Sequence, residues 1–186
     1  MQLFVSKRHL DTEAKFLVEQ SIKGNRSAQK RIYDALSGKM LAVCLRYMGD
    51  RETAEDVLQD GFVTLFTKLD TYSGEGSFEG WARKIFVNTA LMALRKNDAL
   101  KMSEDIDTAW NMVDDGPTTV QNIGYKELMH VVSELPAGFR TVFNMYVVEG
   151  YSHKEIAQEL GISENTSRSQ LQRARTMLQN KIKELY

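Results

Sequence analysis

Three groups of residues in this 186-residue chain have the types and spacing for recognition chemistry. The first is Arg168, Ser169, Gln172, Arg173 and Arg175, which point away from the apolar stripe Leu171, Ala174 and Leu178 of one helix. Arginine and glutamine can make paired hydrogen bonds to base edges in the major groove, each pair worth about 1–3 kcal/mol of discrimination. The second group lies between Trp81 and Lys96, where Trp81 is followed by Arg83, Lys84, Arg95 and Lys96 and no acid occurs. Rings for stacking beside cations for phosphate suit a single-stranded nucleic acid, although a helical tryptophan is more often a core residue. The third group is Glu52, Glu55, Asp56, Gln59 and Asp60 on one side of a helix. The helix dipole accounts for acids in the first turn, but Asp56 and Asp60 lie deeper. They form either a solvated face or a docking face for a basic partner.

Catalysis has no comparable signal. His9, His130 and His153 are far apart, with no cysteine or carboxylate cluster at ligand spacing, so neither a zinc site nor any other cofactor is expected. No glycine-rich phosphate loop follows a strand, and there is no nucleophile elbow.

The elements that must position the first group are legible from Ser152 to Leu178. Ser152 and Glu155 have the spacing of a capping box, and Ile156, Ala157 and Leu160 recur at helical spacing. Gly161 suits a helix stop, Ile162 can plug the turn, and Ser163 can cap a second helix. Two helices joined by such a turn make a helix-turn-helix. A plain helical hairpin with a solvated basic face would use the same residues. Cap, glycine, plug and basic face falling in register favour duplex DNA binding.

The formal net charge is −1, so any pull on nucleic acid comes from local patches. The lone cysteine, Cys44, rules out an internal disulfide and fits a reducing compartment. No apolar run approaches bilayer length and the N-terminus lacks a signal-peptide pattern, so a cytoplasmic protein is expected. Two prolines and little strand-like alternation predict an all-α chain, long enough for one large domain or two small helical domains.

A first helix is expected to open at Asp11–Thr12, carry Phe16, Leu17, Val18 and Ile22, and end near Gly24. Asn25 or Ser27 should cap a second, with Ala28, Ile32, Ala35, Leu36, Met40, Val43, Cys44 and Tyr47 inward and Lys39 and Arg46 snorkelling from its edge. Asp50 should begin a third, burying Ala54, Val57, Leu58, Phe62, Leu65, Phe66 and Leu69. A glycine-punctuated loop follows, and Ser77 should cap a fourth helix with Phe78, Trp81, Ile85, Phe86, Leu91 and Leu94. Residues 97–120 are rich in acid and contain Gly116-Pro117, and read as a flexible linker. A helix over 120–135 should end at Pro136. Phe139, Val142, Phe143, Met145, Tyr146 and Val147 should then supply a core, with Ile182 and Leu185 extending the last helix's apolar face and Lys181 and Lys183 exposed.

Two stretches carry a family resemblance. Ala54-Glu55-Asp56-Val57, then Gln59-Asp60 and Phe62, then Phe78, Trp81, Lys84-Ile85 and Asn88, resemble the second conserved region of the extracytoplasmic-function (ECF) group of bacterial RNA polymerase sigma factors. Gly150 to Leu178 resembles the fourth conserved region of the same group. The resemblance implies a domain over 1–96 that docks on polymerase and melts the minus-ten element, a linker over 97–120, and a domain over 121–186 that reads the minus-thirty-five element. It implies that Asp56, Gln59 and Asp60 bind the clamp helices of the core enzyme's largest subunit. It assigns Tyr72, Phe78, Trp81, Lys84, Asn88 and Arg95 to the minus-ten element, and Arg168, Ser169, Gln172, Arg173 and Arg175 to the minus-thirty-five element. Phe86 and Val87 stand where many members carry a small residue and an arginine. The resemblance also implies promoter DNA as a partner and an anti-sigma protein, often membrane-anchored, as an inhibitor. The other readings are a helix-turn-helix repressor or activator with an N-terminal sensing or dimerisation domain, and an enzyme acting on nucleic acid.

Overall fold

The computed structural model describes the backbone of residues 7–96 and 125–185, and every regular element among them is helical. The elements are α1 (Lys7–Ile22), α2 (Arg26–Met48), α3 (Arg51–Thr67), a 3-10 turn (Leu69–Thr71), α4 (Phe78–Lys96), α5 (Tyr125–Ser133), α6 (Ala137–Phe143), a π-helical turn (Asn144–Val148), α7 (His153–Leu160) and α8 (Glu164–Leu185). The expected linker at 97–120, and residues 120–124 of the expected helix after it, lie outside the described residues. The chain divides into two compact units, one drawing on residues 7–44 and 52–90, the other on 45–51, 91–96 and 125–185.

In the first unit, α2 begins where Asn25 Oδ1 accepts from the backbone N–H groups of Ser27 and Ala28, at 3.0 and 3.2 Å. This satisfies donors that have no partner inside the helix. The core is Ile32, Leu36, Met40, Val43 and Cys44 of α2, Ala54, Val57, Leu58, Phe62 and Leu65 of α3, and Phe78, Ala82, Phe86, Val87 and Ala90 of α4. Three expectations fail here. The first helix starts at Lys7, ahead of Asp11–Thr12. Of its apolar residues Val18 is buried, while Phe16 and Ile22 are exposed. Ala35 is exposed as well, because it lies on the solvent edge of α2.

The second unit is organised by a buried guanidinium. Arg140, on α6, donates from Nε to the carbonyl of Tyr47 at 3.0 Å and from Nη2 to that of Met48 at 2.8 Å. Its Nη1 donates to the carbonyls of Ser133 and Leu135, at 2.8 and 2.9 Å. One planar fork thus serves the carbonyls at the ends of both α2 and α5. Gly49 (φ +84°) makes room, since a β-carbon there would lie 2.7 Å from Arg140 Nη1. Burial pushes the Arg140 guanidinium below its ordinary pKa range and the Asp50 carboxylate acts the other way.

Several edge residues depart from expectation in this unit. Arg46 does not snorkel: it is buried and pairs with Glu149 at 3.1 Å. Tyr146 and Val147 are exposed, not core. The π-helical turn spanning them adds a residue to the helical period and so rotates them outward. Leu185 is exposed, and Lys181 is half-buried against Glu134 instead of free. Pro136 sits at the cap position before α6, one residue ahead of the first helical position.

Candidate nucleic-acid and partner interfaces

The helix-turn-helix forms as the caps require. Ser152 Oγ accepts from the Glu155 backbone N–H at 3.3 Å, and Glu155 Oε2 accepts from the Ser152 N–H at 2.8 Å. This reciprocal pair starts α7. Gly161 takes the left-handed conformation (φ +68°) that ends it, and Ile162 is half-buried in the turn. Ser163 Oγ accepts from the Thr166 N–H at 3.0 Å and starts α8.

The buried side of α8 is Ser167, Gln170, Leu171, Ala174, Leu178 and Ile182. Arg168, Ser169, Gln172 and Arg175 are exposed and Arg173 is half-buried, so all five expected base- or phosphate-contacting residues lie off the buried stripe. Arg168 pairs with Glu164 at 2.9 Å one turn back. An exposed pair of this spacing is worth about 0.3–0.5 kcal/mol, too little to keep the guanidinium from DNA.

His153 ties the two helices together. Its Nδ1 lies 2.9 Å from Ser167 Oγ, and its ring stacks on Tyr146 with centroids 4.5 Å apart. Burial holds its pKa below the usual histidine value, the Arg168 guanidinium adds to that, Glu164 opposes it, and Arg175 adds again. This tie had no local signature, since it joins residues fourteen positions apart.

In the first unit, Asp56, Gln59 and Asp60 are all exposed on α3. Val63, also exposed, lies one turn beyond Gln59 and Asp60 on the same face. The aromatic group after α3 is built by its loop. Ser77 starts α4, its Oγ accepting from the Gly80 N–H at 3.3 Å. Tyr72 packs edge-on to Phe78 and tilted to Trp81, with centroids 5.2 and 5.3 Å apart, while Phe78 and Trp81 stack at 5.6 Å. Phe78 is buried, Tyr72 and Trp81 are half-buried, and Lys84 and Asn88 are exposed. Trp81 therefore serves the packing and still offers ring surface.

Arg95 is exposed at the end of α4. It lies in the second unit, where its guanidinium donates to the Glu159 carbonyl and stands 3.8 Å from the Glu159 carboxylate. Among the described residues no cluster of three or more His, Cys, Asp or Glu could hold a metal ion. No helix among them is long and apolar enough to cross a membrane.

Two family models match the chain in the expected order, Sigma-70 region 2 over residues 32–100 and Sigma-70 region 4 over residues 125–178. The ECF RNA polymerase sigma-E factor of Haemophilus influenzae is 29% identical over 180 residues, covering 91% of this chain and 95% of that one. The chain belongs to the ECF group of RNA polymerase sigma factors. The sigma factor is also 24% identical to the ECF sigma factor SigW of Bacillus subtilis, over the full length of both. Its fold is similar to that of the sigma factor RpoE solved in complex with the anti-sigma factor NepR from Bartonella quintana. That match has a TM-score of 0.51 and 21% identity, and covers 83% of this chain and 96% of that one.

Proposed function

We propose that this sigma factor docks on core RNA polymerase through the α3 face of Asp56, Gln59 and Asp60, and that α8 then reads the minus-thirty-five element while the Tyr72–Asn88 segment opens the minus-ten element. The observation that carries this reading is the pairing on one chain of both sigma regions, in order, each presenting an exposed polar face. The repressor or activator reading is not favoured, because it leaves the region 2 match unused.

Asp56 and Asp60 meet a basic partner surface, for which the clamp helices of the largest subunit are the candidate. Arg168, Ser169, Gln172, Arg173 and Arg175 approach base edges and phosphates in the major groove. Tyr72, Trp81, Lys84 and Asn88 hold a separated strand, with stacking offsetting the few kcal/mol that base extrusion costs. Residues 1–96 then form the docking and melting domain, 97–120 the linker, and 121–186 the minus-thirty-five domain.

The protein works in the cytoplasm as an initiation factor with no catalytic step of its own. An anti-sigma protein that covers these same faces is its expected inhibitor. The test is equilibrium binding to purified core polymerase. The Asp56→Lys, Asp60→Lys double variant should keep its circular dichroism spectrum and lose affinity at least tenfold. An unchanged affinity removes α3 from the interface.

A further inference from the structure

We infer that Lys15, on α1, is a phosphate-binding residue of the single-strand site, a role that rests on reading the Tyr72–Trp81 segment as that site. The loop from Tyr72 to Ser77 is preformed. Tyr72 Oη donates to the Gly76 carbonyl at 3.0 Å, and the Glu75 N–H donates to Ser73 Oγ at 3.2 Å. Gly74 sits at φ +77° with the Lys15 side chain laid across it. A β-carbon at Gly74 would lie 3.0 Å from Lys15 Cε and 3.4 Å from Nζ. The end of the Lys15 side chain thus lies beside the loop at Gly74, two residues from Tyr72, whose ring packs against Phe78 and Trp81.

The placement follows from how α1 is anchored. Val18 is buried, and α1 lies against the 3-10 turn Leu69–Thr71 that leads into the loop. Lys15 is exposed. The loop itself has one charged residue, Glu75, of the wrong sign for a nucleic acid. A strand whose base reaches Tyr72 or Trp81 brings a phosphate past Gly74, and the loop needs a cation from elsewhere to receive it. Lys84 supplies charge one turn along α4 from Trp81, and Lys15 supplies it on the loop. Because the contact is to phosphate, it strengthens binding of every sequence alike.

The test is fluorescence anisotropy of the full chain with a labelled single-stranded DNA pool of random sequence, titrated at several salt concentrations. Lys15→Gln should weaken binding about threefold at low salt and reduce the salt slope by about 0.7, the value for one phosphate on a single strand. Lys15→Arg should restore both. Trp81→Ala should weaken binding about tenfold through lost stacking with the slope kept. If Trp81→Ala weakens binding and Lys15→Gln changes neither affinity nor slope, the role of Lys15 is overturned and the site stands. If neither variant has an effect, the site itself is refuted and Lys15 with it. An equal loss of thermal stability and affinity in Lys15→Gln, unrepaired by arginine, would make Lys15 a packing residue and also overturn the proposal.

Discussion

Gly61 of α3 faces the ring of Phe86 of α4 so closely that a β-carbon at Gly61 would lie 2.4 Å from two of its carbons. Phe86 is fully buried and also packs edge-on to Phe62, with centroids 5.0 Å apart. Phe86 thus fills the space left by a helical glycine. The cost of glycine in a helix, about 1 kcal/mol relative to alanine, is tied to this close approach.

Gly61→Ala should therefore destabilise the protein by about 1–2 kcal/mol, because overpacking outweighs the gain in helix propensity. Phe86→Leu alone should also destabilise. The double variant should be more stable than the two losses added together, since the smaller side chain relieves the clash. Urea unfolding of the four proteins measures the coupling, and strict additivity would show that the two sites do not sense each other.

Arg140→Ala should cost about 3 kcal/mol or more, because it removes four hydrogen bonds, to the carbonyls of Tyr47, Met48, Ser133 and Leu135, three of them buried. Arg140→Lys should recover only part of this, since a point ammonium cannot span the carbonyls that the guanidinium fork reaches. Denaturant midpoints of the two variants check the order. A lysine variant as stable as the parent would contradict the fork geometry.

His153 should make the helix-turn-helix sensitive to acid. Its folded pKa is lowered, so the unfolded chain takes up the proton first as pH falls. The stability it contributes is complete above the unfolded value of about 6.5 and is lost as pH drops through the folded value. The groups facing it are Tyr146, Ser167, Arg168, Glu164 and Arg175. Between pH 7 and 5, the melting temperature should fall more in the parent than in His153→Gln. Equal falls would assign the acid sensitivity to other groups.

Arg173→Ala should reduce use of one base pair in the upstream promoter element by about 1–3 kcal/mol while leaving its neighbours little changed. Binding selection from a randomised duplex library, with the full chain bound to core polymerase, reads this out. A uniform loss over all sequences would make Arg173 a phosphate contact.

The helix-turn-helix was legible from sequence because its signals are local. Ser152 with Glu155, Gly161 and Ser163 each act within one helical turn, and all take the expected positions. The exposed faces of α3 and α8 were legible for the same reason, since period fixes which side chains share a face. What the pattern missed depends on partners distant in the chain. Arg46 follows the helical edge until Glu149 buries it, and Arg95 reads as a free cation until Glu159 binds it. Tyr146 and Val147 continue an apolar run, but the π-helical turn shifts the period under them. Phe86 and Gly61 lie twenty-five positions apart, and only their contact in space makes one the reason for the other.

This chain confers promoter choice on a core polymerase that lacks it. Run-off transcription with purified core polymerase, a genomic promoter library and the purified chain measures this. Starts should appear at a discrete set of promoters only when the chain is present, and be lost with Asp56→Lys, Asp60→Lys. The same starts with core polymerase alone, or none with the chain added, would contradict it.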